Sequence, residues 1–237
     1  ECSVLSEAGC IIQKKNVYLL LITPNIGTTN LPTIKTEKNA ETTVIVCHHQ
    51  EQKEKLPAAF AIINPKRTDT DYPFRELAGV GVSFKLAWAL LAASGRSKED
   101  LVTHLDLVAL GTVADIAPLI DENRALAKFG MLKIRNTDKV GLRALLKTAR
   151  LWGKKITSYE IGFMLGPRIN ASGRITQAAK AVELLITDDE NQALAIAQEL
   201  EGENQRRQKI EEEILLAASQ RVEQMDLDNK RFLVLVD

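Results

Sequence analysis

Cysteine is scarce in these 237 residues: there are three, Cys2, Cys10 and Cys47, with no CxxC spacing among them. They cannot all pair with one another, which argues against a disulfide scaffold and makes a reducing cytoplasm the expected compartment. Long apolar runs are lacking too. None approaches the roughly 20 residues that a membrane span needs, and no signal peptide opens the chain, so no membrane association is expected. Net charge is also absent, with 31 Lys and Arg balancing 31 Asp and Glu. The length suits one large or two small domains with a real core.

The zero net charge conceals an asymmetry. From Arg124 to Lys180 there are 13 basic residues against two acids, Asp138 and Glu160, whereas from Ala181 to Asp237 there are 14 acids against six basic residues. A basic span inside a neutral chain points to a phosphate-rich partner met on one face. The alternative is a solvated helical surface balanced by the acidic tail.

The first half of the chain alternates apolar runs with turns. Residues 16–23 and Thr42 to Val46 read as strands, the second strongly β-branched, and Ala59 to Asn64 reads as a third, closed by Pro65. A short helix is expected around Ile34 to Asn39. Leu105 to Leu110, broken only by Asp106, reads as a strand buried on both faces of a parallel sheet. A helix is expected after A-G-V-G-V at 78–82, where Gly79 and Gly81 suit either a phosphate at the helix start or close packing on the sheet. This alternation predicts an α/β fold, a parallel sheet with flanking helices. Beyond residue 120 helical patterns take over. A long helix is expected from Thr187 to about Met225, with Ala193, Ile196, Ala197 and Leu200 on one face and a polar centre of the kind that bridges two domains. Residues 230–237 read as a new strand, so the chain is expected to be a piece of something longer.

Three places carry ligand-type side chains. The strand Thr42 to Val46 runs directly into Cys47-His48-His49. Adjacent histidines on extended backbone face opposite ways, so one suits a metal ion and the other a substrate phosphate. The 105–110 run is expected to deliver Asp115 just past a strand end, the edge where open α/β sheets bind ligands. Hemmed in by Val113, Ala114, Ile116 and Ala117, that carboxylate favours a divalent cation nearby; the plainer reading is that it caps the next helix. Third, Arg168 and Arg174 bracket a loop of small residues, 166–174, suited to gripping phosphates through guanidinium forks and backbone N–H groups. The plainer reading there is a helix–helix connection.

Together, G-T-V-A-D-I-A-P-L at 111–119, the His-His pair after a β-branched strand, I-I-N-P-K-R at 62–67, L-A-G-V-G-V-S-F-K-L at 77–86 and G-P-R-I-N-A-S-G-R-I at 166–175 resemble the DHH phosphoesterase superfamily, on its branch of single-strand-specific 5′→3′ DNA exonucleases. The resemblance runs over roughly residues 17–237. It implies a DHH-type α/β domain at 1–121 lacking its opening part, a helical, basic part of the same domain at 122–186, a connecting helix at 187–226 and the start of a truncated second, DHH-associated domain at 230–237. It also implies a two-metal site for Mn²⁺ or Mg²⁺. By position, Asp115 and His48 match metal ligands, His48, His49 and Asp115 match catalytic residues, and Arg168, Asn170, Ser172, Gly173 and Arg174 match the substrate-binding loop. Asn25 stands where the family has a metal-binding aspartate, and Cys47-His48-His49 stands for the DHH motif itself. The partner implied is single-stranded DNA, in repair and recombination, with a single-strand-binding protein and a helicase as protein partners and a monomer as the expected state. Two other readings remain: a relative that binds single strands without cutting them, favoured by the missing acids, and a phosphodiesterase for short oligonucleotides or cyclic dinucleotides.

Overall fold

A run of β-branched residues, Thr43 to Val46, forms the middle of the sheet. The computed structural model describes residues 20–24, 43–51, 56–170 and 175–223. Within them three strands, β1 (Leu20–Pro24), β2 (Thr43–Cys47) and β3 (Ala61–Ile63), lie in the order β1-β2-β3, all parallel. Ile22 pairs with Ile45 and Ile45 with Ala61, so β2 is the middle strand and carries the buried Val44 and Val46. Parallel pairing brings the carboxyl ends of all three to one edge, where His48 follows β2; its N–H donates to the Ile63 carbonyl at 2.9 Å. The parallel sheet of the α/β expectation is therefore present. The turn after Pro24 and the helix expected near Ile34 lie outside the described residues.

Helices account for the rest: α1 (Gly79–Ala93), α2 (Glu99–Val102), α3 (Leu105–Ala114), α4 (Asp121–Arg135), α5 (Val140–Thr148), a π-helix (Glu160–Leu165) running into α6 (Gly166–Asn170), α7 (Ile175–Ile186) and α8 (Glu190–Glu223). Gly79 and Gly81 are buried in the first turn of α1, and a Cβ on Gly81 would meet Leu77 at 3.1 Å, so close packing is what Gly81 serves.

Two expectations are corrected here. Residues 105–110 form no strand; they are the start of helix α3. The helix is enclosed on nearly every side, with Asp106, Val108, Ala109, Leu110, Thr112 and Val113 all buried. A helix buried all round is apolar all round and reads like a buried strand over so short a run. Asp106, wholly buried, is held by its setting: Thr137 Oγ1 donates to Oδ2 at 2.6 Å, Lys139 Nζ to Oδ1 at 2.8 Å, and the Leu107 N–H to Oδ1 at 2.8 Å. Second, the supposed loop at 166–174 begins as helix, since Gly166–Asn170 is α6; residues 171–174 lie outside the described residues.

The main apolar core is helical. Ala109, Leu110, Ala127, Ile134, Leu142, Leu145, Ile161, Leu165, Leu184 and Leu200 belong to one buried cluster. Glycine permits the closest crossings. A Cβ on Gly130 of α4 would stand 2.1 Å from the Leu105 carbonyl oxygen of α3, and one on Gly141 of α5 only 1.5 Å from that of Leu184 in α7. Tyr72 Oη and Lys85 Nζ both donate to the Glu122 carboxylate, at 2.5 and 2.6 Å, tying the β3–α1 connection and α1 to α4.

α8 starts as expected. Asp189 caps it, its Oδ1 accepting from the N–H groups of Asn191 and Gln192 at 2.8 and 2.9 Å. Ala193, Ile196, Ala197 and Leu200 are buried, as their spacing requires. Its 34 residues extend about 51 Å at 1.5 Å per residue, and the second half is largely exposed, including Ile210, Ile214, Leu215 and Leu216.

Candidate functional site

Two chain segments far apart in sequence converge at the sheet's carboxyl edge. β2 ends in Cys47 and hands the chain to the two histidines. The Cys47 thiol is buried among Phe74, Leu77 and Val82, and burial pushes its pKa up, so it is held protonated and suits neither a nucleophile nor a ligand. His48 is 2% exposed; burial, and then the neighbouring His49, hold its pKa below the ordinary value, which favours the neutral ring. Its ring lies 6.1 Å from that of His49 at 71°.

It is His49 whose ring reaches Asp115. Nδ1 stands 3.6 Å from Oδ2, with side chains 15% and 42% exposed. Asp115 closes α3 as its C-cap. The Ile116 N–H returns to the Val113 carbonyl at 3.0 Å and the Ala117 N–H to Thr112 at 3.2 Å, the paired bonds of a helix that ends in a left-handed residue. That residue is Ile116, at φ 57°, a conformation that a β-branched side chain adopts only under strain. So Asp115 ends one helix and does not cap the next, for which Ile120 is the flanking residue.

Arg168, on α6, is 13% exposed and engaged: Nε donates to Glu201 Oε2 on α8 at 2.5 Å, and Nη1 to the Met164 carbonyl at 2.6 Å. Asn170 is exposed and lines a cavity of about 260 Å³ shared with Ala114, Ile116, Gly166 and Arg207. The cavity therefore joins Ala114 and Ile116, on either side of Asp115, to Asn170, the last residue of α6. Asn25, Ser172, Gly173 and Arg174 lie outside the described residues. A separate cavity of about 300 Å³ opens past β3 among Asn64, Arg67, Tyr72 and Lys85 and holds none of the expected site residues. Sequence reasoning missed Arg207, which sits in the polar stretch read as a bridging helix. Its neighbours in the cavity come from α3 and α6, and no local signal joins those segments.

His49 and Asp115 fit as two ligands of one divalent ion, one nitrogen and one oxygen close enough to share it. Among the described residues no group of three or more His, Cys, Asp or Glu side chains is placed to hold an ion, so these residues alone do not make up a two-ion site.

Residues 6–112 match the N-terminal domain of the DHH family. The likeness to individual proteins is more specific. It is 40% identical over 221 residues to the single-stranded-DNA-specific exonuclease RecJ of Bacillus subtilis, an alignment covering 93% of this chain and 27% of that protein. To RecJ of Escherichia coli it is 39% identical over 209 residues, 84% of this chain and 36% of that protein. A crystal structure of exonuclease RecJ bound to manganese superposes with a TM-score of 0.80 at 33% identity, covering 95% of this chain and 55% of that one. RecJ of Thermus thermophilus in complex with Mn²⁺ gives 0.77 at 34% identity, over 88% of this chain and 31% of that one. The chain thus spans about a quarter to a third of the length of these two curated relatives.

Proposed function

We propose that this chain is part of a divalent-metal-dependent exonuclease that hydrolyses single-stranded DNA from the 5′ end, in repair and recombination. The observation that carries the reading is the convergence of His49 and Asp115 at 3.6 Å in a chain so similar to RecJ proteins. His49 and Asp115 would hold a Mn²⁺ or Mg²⁺ ion, and Asn25 stands at a further ligand position. When bound, such an ion supplies Lewis-acid neutralisation of charge developing on the phosphodiester.

The chain's own residues do the rest. Buried beneath that edge, His48 braces the turn that aims His49. Arg168, pinned by Glu201 and the Met164 carbonyl, is preorganised at the mouth of the expected phosphate-binding loop, and Asn170, Ser172, Gly173 and Arg174 would take the strand's backbone with it. Contacts to phosphates carry no sequence information, so cleavage would ignore sequence. The same reading has the protein cytoplasmic and monomeric, working beside a single-strand-binding protein and a helicase.

One observation favours a second reading, binding without cleavage: Cys47 occupies the place of the DHH aspartate and its side chain points into the apolar core. Degradation of a 5′-labelled single strand by the whole protein with Mn²⁺ decides between them. The exonuclease reading expects single strands to be degraded, duplex to be spared, and Asp115→Ala to abolish the reaction. Retention of the single strand without cleavage, with either metal, would establish the second reading instead.

A further inference from the structure

On the other flank of Asp115 lies a cavity of about 510 Å³, bounded by Ile116 and by Tyr159 and Phe163 at the π-helix. These three side chains are 90%, 60% and 71% exposed. The Tyr159 and Phe163 rings lie side by side, centroids 5.0 Å apart and tilted by 31°. Their alignment has a local cause: Tyr159 directly precedes the π-helix Glu160–Leu165, whose wider winding governs how the i and i+4 rings stand. Thr157 fixes the start of this segment, its N–H and Oγ1 both donating to Glu160 Oε2, at 2.8 and 2.5 Å. The surface is thus an ordered aromatic ledge, continuous through Ile116 with the cavity that Asn170 and Arg207 line.

That second cavity has a polar wall. Arg207 pairs with Glu211 and Asn204, yet its Nε is buried with no partner among the described residues. An apolar ledge of π-faces, a donor-lined cavity beside it and a candidate metal ligand between them match three parts of one molecule: bases, phosphate oxygens and the scissile diester.

We propose that Tyr159 and Phe163, with Ile116 as the edge that separates the two cavities, form a platform on which bases of single-stranded DNA stack as the backbone passes Asp115, its phosphates turned toward the cavity that Asn170 and Arg207 line. This rests on the single-strand reading above and adds a base-side contact to it. Every base has a π-face, so such a platform grips without reading sequence. It also requires unpaired bases, which gives a local reason for rejecting duplex.

The test uses the whole protein and two probes of equal length, oligothymidylate and a strand of abasic sugars with the same phosphates. Binding is followed by anisotropy in an Asp115→Ala background, which prevents degradation, and cleavage by the unsubstituted protein is followed separately with Mn²⁺. The platform expects thymidylate to bind on the order of tenfold or more tighter than the abasic strand, and Tyr159→Ala/Phe163→Ala to bind both at the abasic level with an unchanged circular dichroism spectrum. Phe163→Trp should keep the preference and show additional indole quenching by thymidylate. If the double variant keeps the preference, or changes only a dimer into a monomer, the platform is wrong while the exonuclease reading stands. If the unsubstituted protein neither binds nor cleaves single strands, both fall.

Discussion

Gly130→Ala should both destabilise this protein and disable it. A methyl at Gly130 would lie 2.1 Å from the Leu105 carbonyl oxygen and 2.4 Å from Ala109 Cβ. Neither neighbour can rotate away, because one is backbone and the other is fixed to it. Real Cβ contacts essentially never fall below 3.0 Å, so α3 and α4 must part by about 0.9 Å. Overpacking of this kind costs about 1–3 kcal/mol, and each kcal/mol lowers Tm by about 2–4 °C in a chain of this size. Asp115 closes α3, so the same displacement shifts its carboxylate relative to His49, now 3.6 Å away. A misplacement of about 1 Å at a reacting centre can lower the rate on the order of 10²-fold. Thermal melting and Mn²⁺-dependent degradation well below Tm measure the two effects. Gly202→Ala is the control: nothing lies within 4 Å of its Cβ position in α8, so it should gain roughly 0.5–1 kcal/mol of helix stability. If Gly130→Ala melts within about 1 °C of the parent and degrades DNA at the parental rate, the tight crossing does not position Asp115.

Asp106→Ala removes the partner of Lys139 and Thr137 in a buried setting and should cost about 3–5 kcal/mol in urea unfolding; a loss below 1 kcal/mol would show that the buried pair is dispensable. Glu122 titrates below its ordinary value of 4.5: burial alone would raise it, but hydrogen bonds from Lys85 and Tyr72 outweigh that. Its contribution is therefore fully present above pH 4.5 and is lost as pH falls through the lower folded value. Glu122→Gln should be less stable at neutral pH and flatten the acid limb of a stability-versus-pH curve, and an unchanged acid limb would contradict the assignment. Ile116→Gly relieves a left-handed β-branched residue whose side chain is 90% exposed, and should raise stability by roughly 0.5–1 kcal/mol in thermal melts. Weaker single-strand binding by that more stable variant would show that the strained side chain serves the ligand; equal binding would count against it.

How far the sequence could be read depended on what kind of environment each segment occupies. β2 was legible because an unbroken β-branched run, Thr43 to Val46, packs best in a sheet, and the two histidines follow directly at its carboxyl end. The start of α8 was legible because a capping acid precedes a clean one-sided stripe. The loop expected at 166–174 was misread at its start, because Gly166 and Pro167, which look like a break, open α6 after a π-helical run. The π-helix itself was hidden, since nothing in E-I-G-F-M-L at 160–165 departs from an ordinary helical sequence.

Asp115 shows how a misread element can strengthen the chemistry it was meant to support. A strand end would have left its carboxylate in a neutral setting, since strand dipoles nearly cancel. The structure instead puts it at the C-terminus of α3, where the helix dipole is negative and an anion is disfavoured by about 0.3–1 kcal/mol. The turn beyond it is strained as well. Several features thus oppose an isolated carboxylate there, and His49, at 3.6 Å, is too far for a hydrogen bond with normal geometry. A small divalent cation between Nδ1 and Oδ2 would satisfy both side chains and offset the dipole at once. If that is why the helix ends in aspartate, Mn²⁺ should raise the Tm of the parent protein and have no such effect on Asp115→Asn. An equal rise in both would place the ion elsewhere.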